Sequence, residues 1–182
     1  RLYIPIPRFL INQNCSKLLQ APFNFRVTPQ MKTQIRIAKS EDATRITELY
    51  LSSRKTFLQY APLAHTDAEV REWIEKKLIP STMLFLAENS EGIIGILSIS
   101  ADESYGWIDN LYLDPNSTGH GVGTLLVEYA KRKLGAPIRL YTFQQNSRAR
   151  KFYKDHGFVE IECKRSFPRN SVFRAASLIL PV

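Results

Sequence analysis

Apolar and polar side chains alternate over residues 33–38, where Ile35 and Ile37 are set against Gln34 and Arg36, and this two-residue period predicts a half-buried strand. The period then lengthens. Ala43, Ile46, Leu49, Tyr50 and Phe57 follow helical spacing, with Ser40 placed to cap the helix. Residues 59–65, interrupted by Pro62, read as a loop. Thr66 and Glu69 have the spacing of a capping box for a second helix, which carries Val70, Trp73, Ile74 and Leu78 on one face and meets Pro80 as its stop. Strands are predicted at 83–87, 93–100 and 106–113, separated by polar turn segments, and consecutive strands of this kind form an antiparallel meander. Three glycines in Gly119-His120-Gly121-Val122-Gly123 open a third helix bearing Leu125, Leu126, Tyr129, Ala130 and Leu134, and Gly135 is placed to end it. A strand over 138–142 follows, then a helix over 147–156 with Ala149, Phe152 and Tyr153 inward, then a hairpin from 158–164 and 172–180. The order predicts an α/β fold of the α+β kind: a mixed, mostly antiparallel sheet of about six or seven strands flanked by about four helices.

Composition narrows this to one core. The chain has 182 residues, 44% of them hydrophobic, with 10 phenylalanines, enough for one well-filled domain and too few for two. Residues 1–30 differ from the rest. They carry Arg1, Arg8, Lys17 and Arg26 without an acid, and so supply half of the formal charge of +8. Pro5, Pro7, Pro22 and Pro29 interrupt any amphipathic period there, and patterning begins only behind Met31. The expectation is a poorly ordered leader over 1–30, either appended, translated from upstream or transit-like, ahead of a single domain over 31–182.

With half of the charge in that leader and no long block of consecutive Lys or Arg, the excess suits a polyanionic cofactor at least as well as a nucleic-acid backbone. Cys15 and Cys163 lack zinc-type spacing, and His65, His120 and His156 lie far apart, so no metal site and no disulfide framework are expected. A reducing, cytoplasmic setting is the simplest inference. No apolar run reaches the ~20 residues of a membrane span.

The glycine turn is the first piece of chemistry. It follows the strand end Leu111-Tyr112-Leu113-Asp114-Pro115 and opens an amphipathic helix. Glycines let the main chain approach closely, successive N–H groups can then point into one concavity, and the helix N-terminus adds about half a positive charge. A dinucleotide fingerprint is excluded because Thr124 and Leu126 stand where its last glycine belongs; a P-loop is excluded because no Lys-Ser or Lys-Thr follows. Spacing alone fits either an anion site or a tight turn without a ligand.

A second segment sharpens the reading. Trp107-Ile108-Asp109-Asn110-Leu111-Tyr112-Leu113-Asp114-Pro115, the glycine turn through Leu126, and the downstream Asn146-Ser147-Arg148-Ala149-Arg150-Lys151-Phe152-Tyr153-Lys154-Asp155-His156-Gly157-Phe158 together resemble the GNAT acetyltransferase superfamily. The resemblance runs from Gln34 to Lys164, with Thr118 departing from the Gln or Arg usual in the family. It implies a sheet that splays at the glycine turn, and direct transfer of acetyl from acetyl-CoA to a primary amine with neither a metal nor a covalent enzyme intermediate. It assigns Leu111, Tyr112 and Leu113 to the pantetheine arm, taken up like an added strand. It assigns Gly119, His120, Gly121, Val122, Gly123 and Thr124 to the pyrophosphate, and Asn146 and Phe152 to further cofactor contacts.

The resemblance also implies that Tyr153 donates a proton to the departing thiolate, which a phenol of pKa near ~10 can do at neutral pH. Core packing is the other reading, because Tyr153 shares a stripe with Ala149, Phe152 and His156. An amine must lose its proton to attack. Asp109, on the strand that presents the cofactor, is the first candidate base, ahead of Glu103 and Asp102; each also reads as an ordinary turn or surface carboxylate. Relatives often place a glutamate where this chain has Tyr141-Thr142-Phe143-Gln144-Gln145. Phe57, Tyr60 and His65, between the first two helices, read equally as acceptor contacts or as a small apolar cluster under a loop. The partners expected are acetyl-CoA and an amine acceptor, without nucleic acid or membrane, and a homodimer stays open. The rival function is a non-catalytic acyl-CoA-binding module.

Overall fold

The computed structural model describes residues 33–61, 65–81, 83–135, 137–165 and 174–181. The leader expected over 1–30 lies outside the described residues, as do Pro62 of the expected loop and Val172 of the expected last strand.

Strands β1 (Gln34–Ile37), β2 (Met83–Asn89), β3 (Gly92–Ala101), β4 (Gly106–Leu113), β5 (Ile138–Phe143), β6 (Val159–Arg165) and β7 (Arg174–Leu180) form one sheet in the order β1-β2-β3-β4-β5-β7-β6. Every neighbouring pair is antiparallel except β4 with β5, which is parallel. This is the mixed, mostly antiparallel sheet that the pattern predicts. The helices are α1 (Ala43–Phe57), α2 (Asp67–Trp73), which runs through a π turn at Ile74–Leu78 into α3 (Ile79–Ser81), α4 (Val122–Leu134) and α5 (Ser147–Asp155). None of them is long and apolar enough to cross a membrane.

Both faces of the sheet are covered, and each cover is one apolar cluster. On one face Leu126, Val127 and Ala130 of α4 and Tyr153 of α5 pack with Leu97, Ile99, Ile138, Leu140 and Leu178. On the other, Ile46, Leu49 and Tyr50 of α1, Val70 of α2 and Ile74 of the π turn pack with Leu84, Leu86 and Ile96. Strands β2 and β3, buried on both faces, accordingly read as near-continuous apolar runs.

The second helix begins as its sequence predicts. The Glu69 N–H donates to Thr66 Oγ1 at 3.3 Å and the Thr66 N–H to Glu69 Oε2 at 2.7 Å, so the capping box closes from both sides. Three local expectations need correction. Ser40 does not cap α1 but opens a 3-10 turn, Ser40–Asp42, in which the Asp42 carboxylate accepts the Lys39 N–H at 2.8 Å. Pro80 does not stop the helix ahead of it; the wide π turn before it accommodates a residue that cannot donate, and the helix ends at Ser81. Trp73 stays 38% exposed, because its ring reaches only the rim of the stripe, where it leans on Tyr50 with centroids 5.9 Å apart.

Two irregularities of β4 position everything that follows. It pairs with β3 as far as Leu113, but with β5 only over Gly106↔Ile138, Trp107↔Arg139 and Ile108↔Leu140, so the two strands part beyond Ile108. Between Ser98 and Ile99 the β3–β4 register shifts, leaving Asp109 as the extra residue of a bulge.

Candidate active site

Where β4 and β5 part, a groove of about 460 Å³ opens. One wall is Leu111, Tyr112 and Leu113. Asn146, Ala149 and Phe152 at the start and inner face of α5 form another, and Phe57 and Leu58 approach from the end of α1. Thr118, Gly119, Gly121, Gly123 and Thr124 close the remaining end. The two sequence motifs, with nineteen residues between Leu126 and Asn146, thus meet around one cavity.

The glycine turn at this end has a demanding backbone. Gly119 and Gly121 hold φ of 85° and 81°, and a Cβ at either would meet no atom within 4 Å, so backbone conformation and open space rather than crowding require glycine there. Gly121 caps α4 without a side-chain hydrogen bond. The N–H groups of the first turn of α4 therefore have no intrahelical acceptor and add their dipoles to the open end. His120 is exposed and the Val122 side chain is buried in the core, and neither is among the residues that line the groove. The turn is braced from two directions. Arg45 of α1 donates to Asp114 Oδ2 at 2.9 Å, and His156 lies with Nε2 3.1 Å from Thr124 Oγ1 and Nδ1 2.7 Å from the Phe152 carbonyl.

Asn146 reaches the groove, but its side-chain oxygen accepts the Ala149 N–H at 3.0 Å and so caps α5. Phe152 lines the cavity, while Tyr153 beside it is only 7% exposed and sits between the rings of Phe152 and Phe158 at 5.3 and 5.6 Å. Burial pushes the Tyr153 phenol well above its ordinary range, and the neighbouring Tyr112 adds to the rise. It is accordingly neutral and able to donate across the physiological range.

Asp109 lies on the bulge, outside the groove lining, with Oδ1 accepting from the Ser100 hydroxyl at 3.1 Å. Although the residue is exposed along one side, desolvation of its carboxyl raises the pKa, and the Ser100 hydrogen bond opposes this only in part. Phe57 lines the groove. Tyr60 stands farther along, edge-on to Phe143 with centroids 6.0 Å apart. His65 is brought elsewhere, to a hollow with Tyr50, Glu69, Val70 and Trp73, where its Nδ1 is 4.0 Å from Glu69.

Two cations at this site escape sequence reasoning. Arg148 of α5 reaches across to α1, with Cζ 5.0 Å from the Phe57 ring centroid. Arg54 of α1 donates to the Ala61 carbonyl at 3.0 Å and approaches the Tyr112 hydroxyl at 3.4 Å. Its place one turn beyond Tyr50 on the inward stripe is the signal that could have found it.

Comparison with known proteins gives a consistent picture. The family model described as acetyltransferase (GNAT) family matches residues 35–158. The chain is 24% identical over 128 residues to the peptidyl-lysine N-acetyltransferase YjaB of Salmonella typhimurium, a match covering 70% of this chain and 84% of that protein. It is 26% identical over 152 residues to an uncharacterised N-acetyltransferase of Methanocaldococcus jannaschii, covering 74% of this chain but only 64% of the relative's length. Its fold is like that of the PaiA N-acetyltransferase of Thermoplasma acidophilum in complex with coenzyme A, with a TM-score of 0.61 at 21% identity over 81% of this chain and 98% of that one.

Proposed function

The chain belongs to the acetyltransferase (GNAT) family, and from that premise we propose that it transfers acetyl from acetyl-CoA to a primary amine by direct attack. The observation that carries this reading is the meeting of the glycine cradle, Leu111–Leu113 and the start of α5 around one groove at the splay of β4 and β5. The cradle supplies main-chain donors and a helix N-terminus for a diphosphate. The unpaired side of β4 supplies strand-like hydrogen bonds for a pantetheine arm.

In this mechanism the amine nitrogen attacks the thioester carbon, the C–S bond breaks, and CoA leaves as a thiolate. The Tyr153 hydroxyl, which keeps its proton, steadies the thiolate by donating a hydrogen bond. Asp109, directly or through water, collects the proton from the amine; its raised pKa brings it nearer the neutral range in which a carboxylate base works best. A second reading, a non-catalytic module that only binds acyl-CoA, draws support from the burial of Tyr153 in the core.

One experiment separates the two. Thiol release from acetyl-CoA is measured with and without a panel of amines, beside calorimetric titration of CoA. Acceptor-dependent release supports the enzyme. Tyr153→Phe then lowers turnover by about a hundredfold with CoA affinity kept. CoA binding without release for any amine supports the binding module, and equal loss of turnover and affinity in Tyr153→Phe assigns that residue to structure.

A further inference from the structure

Most partly buried arginines of this chain are paired with a carboxylate; Arg139, which is not, lies over the Tyr105 ring with Cζ 3.7 Å from its centroid and donates to the Tyr105 hydroxyl at 2.9 Å, although its Nε too lacks a hydrogen-bond partner. Arg36 is paired with Asp42 and Glu88, Arg45 with Asp114 and Arg150 with Glu160. Arg54 has no carboxylate partner among the described residues. Sequence excludes one from most of what remains, since residues 1–32, 62–64 and 166–173 contain neither Asp nor Glu.

Besides the Ala61 carbonyl, to which it donates at 3.0 Å, what surrounds Arg54 is aromatic. Its Cζ lies 5.8 Å from the Tyr50 ring centroid and 5.9 Å from that of Phe143, near the outer limit of a useful cation–π contact. Its Nη1 is 3.4 Å from the Tyr112 hydroxyl, a long hydrogen bond. Its Nε is buried without a hydrogen-bond partner, and so is the Tyr60 hydroxyl oxygen. Two orphaned polar groups around one uncompensated cation form an arrangement that is unfavourable on its own and becomes favourable when an anion enters, because a charge-assisted bond replaces two unmade ones. Tyr112 joins this cluster to the groove, since the same residue lines the groove wall.

We propose that Arg54, with the Tyr60 hydroxyl, receives a carboxylate of the acceptor, and that the acceptor is a free α-amino acid with an apolar side chain. This rests on the acetyltransferase reading and specifies its substrate. Arg54 adjoins Tyr112, on the wall assigned to the uncharged pantetheine arm and not to the phosphates of the cosubstrate, so an anion received there belongs to the acceptor. An α-amino acid holds amine and carboxylate one carbon apart, so anchoring the carboxylate beside Tyr112 presents the amine next to the groove. The crossed rings of Tyr60 and Phe143 suit an apolar side chain. A lysine side chain in a protein brings a cation toward Arg54 and no adjacent anion to meet it.

The test compares matched acceptors on the wild-type protein: L-phenylalanine with phenethylamine, and L-methionine with 3-(methylthio)propylamine, each with acetyl-CoA and thiol release as the readout. The amino acids are expected to be used with about thirtyfold higher kcat/KM than their decarboxylated partners, the effect of one buried charged hydrogen-bonded contact. Arg54→Gln should erase that preference by lowering turnover of the amino acids alone, and Arg54→Lys should restore part of it. A merely structural Arg54 would lower both series equally, which overturns the assignment. Equal or better use of the bare amines by the wild type, or turnover of lysine peptides without turnover of amino acids, overturns it while leaving the acetyltransferase intact. Tight CoA binding with no release for any acceptor removes both together.

Discussion

The imidazole Nε2 of His156 lies 3.1 Å from Thr124 Oγ1, and this contact links the end of α5 to the first turn of α4. Its other nitrogen is 2.7 Å from the Phe152 carbonyl, so the ring is fixed at both ends. His156→Ala is expected to weaken CoA binding by about fivefold, the effect of one lost hydrogen bond, through the orientation of Thr124. Calorimetric titration checks it. An unchanged affinity would mean that the first turn of α4 keeps its place without the imidazole.

Gly121 should be far less tolerant. At a φ of 81° a side chain is strained by about 1–2 kcal/mol whatever space surrounds it, and the surroundings here are empty. Gly121→Ala is therefore expected to lower the melting temperature by a few degrees and CoA affinity by tenfold or more, because relaxing the strain turns the cradle N–H groups away. Loss of stability with affinity intact would separate the glycine from the cradle.

Arg36 donates at 2.7 Å to both Asp42 Oδ2 and Glu88 Oε2, and these bonds hold both carboxyls below their ordinary values of 3.8 and 4.5. The unfolded chain thus binds protons that the folded one refuses. Stability is complete above those ordinary values and declines as pH falls below them toward the lowered ones. Thermal melts from neutral pH down to about 3 should show this decline, and Arg36→Met should flatten it. Asp42→Asn is expected to destabilise by about 1–3 kcal/mol at neutral pH.

Tyr50 and Tyr153 carry the opposite dependence. Desolvation is the first cause that raises each phenol from an ordinary value of 10.0. In alkali the unfolded chain releases these protons first, so stability holds below about pH 10 and falls as pH rises above it. The double variant Tyr50→Phe, Tyr153→Phe should lose this alkaline sensitivity in melts followed from pH about 8 to 11. An identical decline in wild type and variant would put the groups responsible elsewhere.

Local chemistry made much of this architecture readable. The capping box at Thr66 and Glu69 and the glycine that ends α4 each depend on residues a few positions apart, and each appears where spacing places it, whereas β1 forms without its expected alternation, Ile37 lying 68% exposed and Arg36 drawn partly inward by Asp42 and Glu88. The glycine cradle was readable for the same reason, since φ at Gly119 and Gly121 is a local demand. What depended on cross-strand register was not. The bulge that isolates Asp109 exists because Ile99 pairs with Ile108 while Ser98 pairs with Asn110, and neither strand alone contains that fact. Nor does the 158–164 and 172–180 pattern say that β7 enters between β5 and β6. Arg54 stands on the inward stripe one turn beyond Tyr50, but the lack of a carboxylate beside it is a fact that only three dimensions establish. The placement of His65 in a hollow away from Phe57 likewise follows from where α2 begins, not from the loop's composition.

Beyond Ile108 the facing sides of β4 and β5 leave main-chain amides and carbonyls without a partner strand, inside a sheet that is otherwise zipped. A pantetheine laid in that gap would complete it like a detachable rung, making cosubstrate supply a determinant of how firmly the whole sheet holds. Each tenfold rise of free ligand above its dissociation constant would add about 1.4 kcal/mol to unfolding. Slowed deuterium uptake at Asn110–Leu113 and Tyr141–Phe143 would register that seam closing, and a protein starved of acyl-CoA would be the one most readily proteolysed.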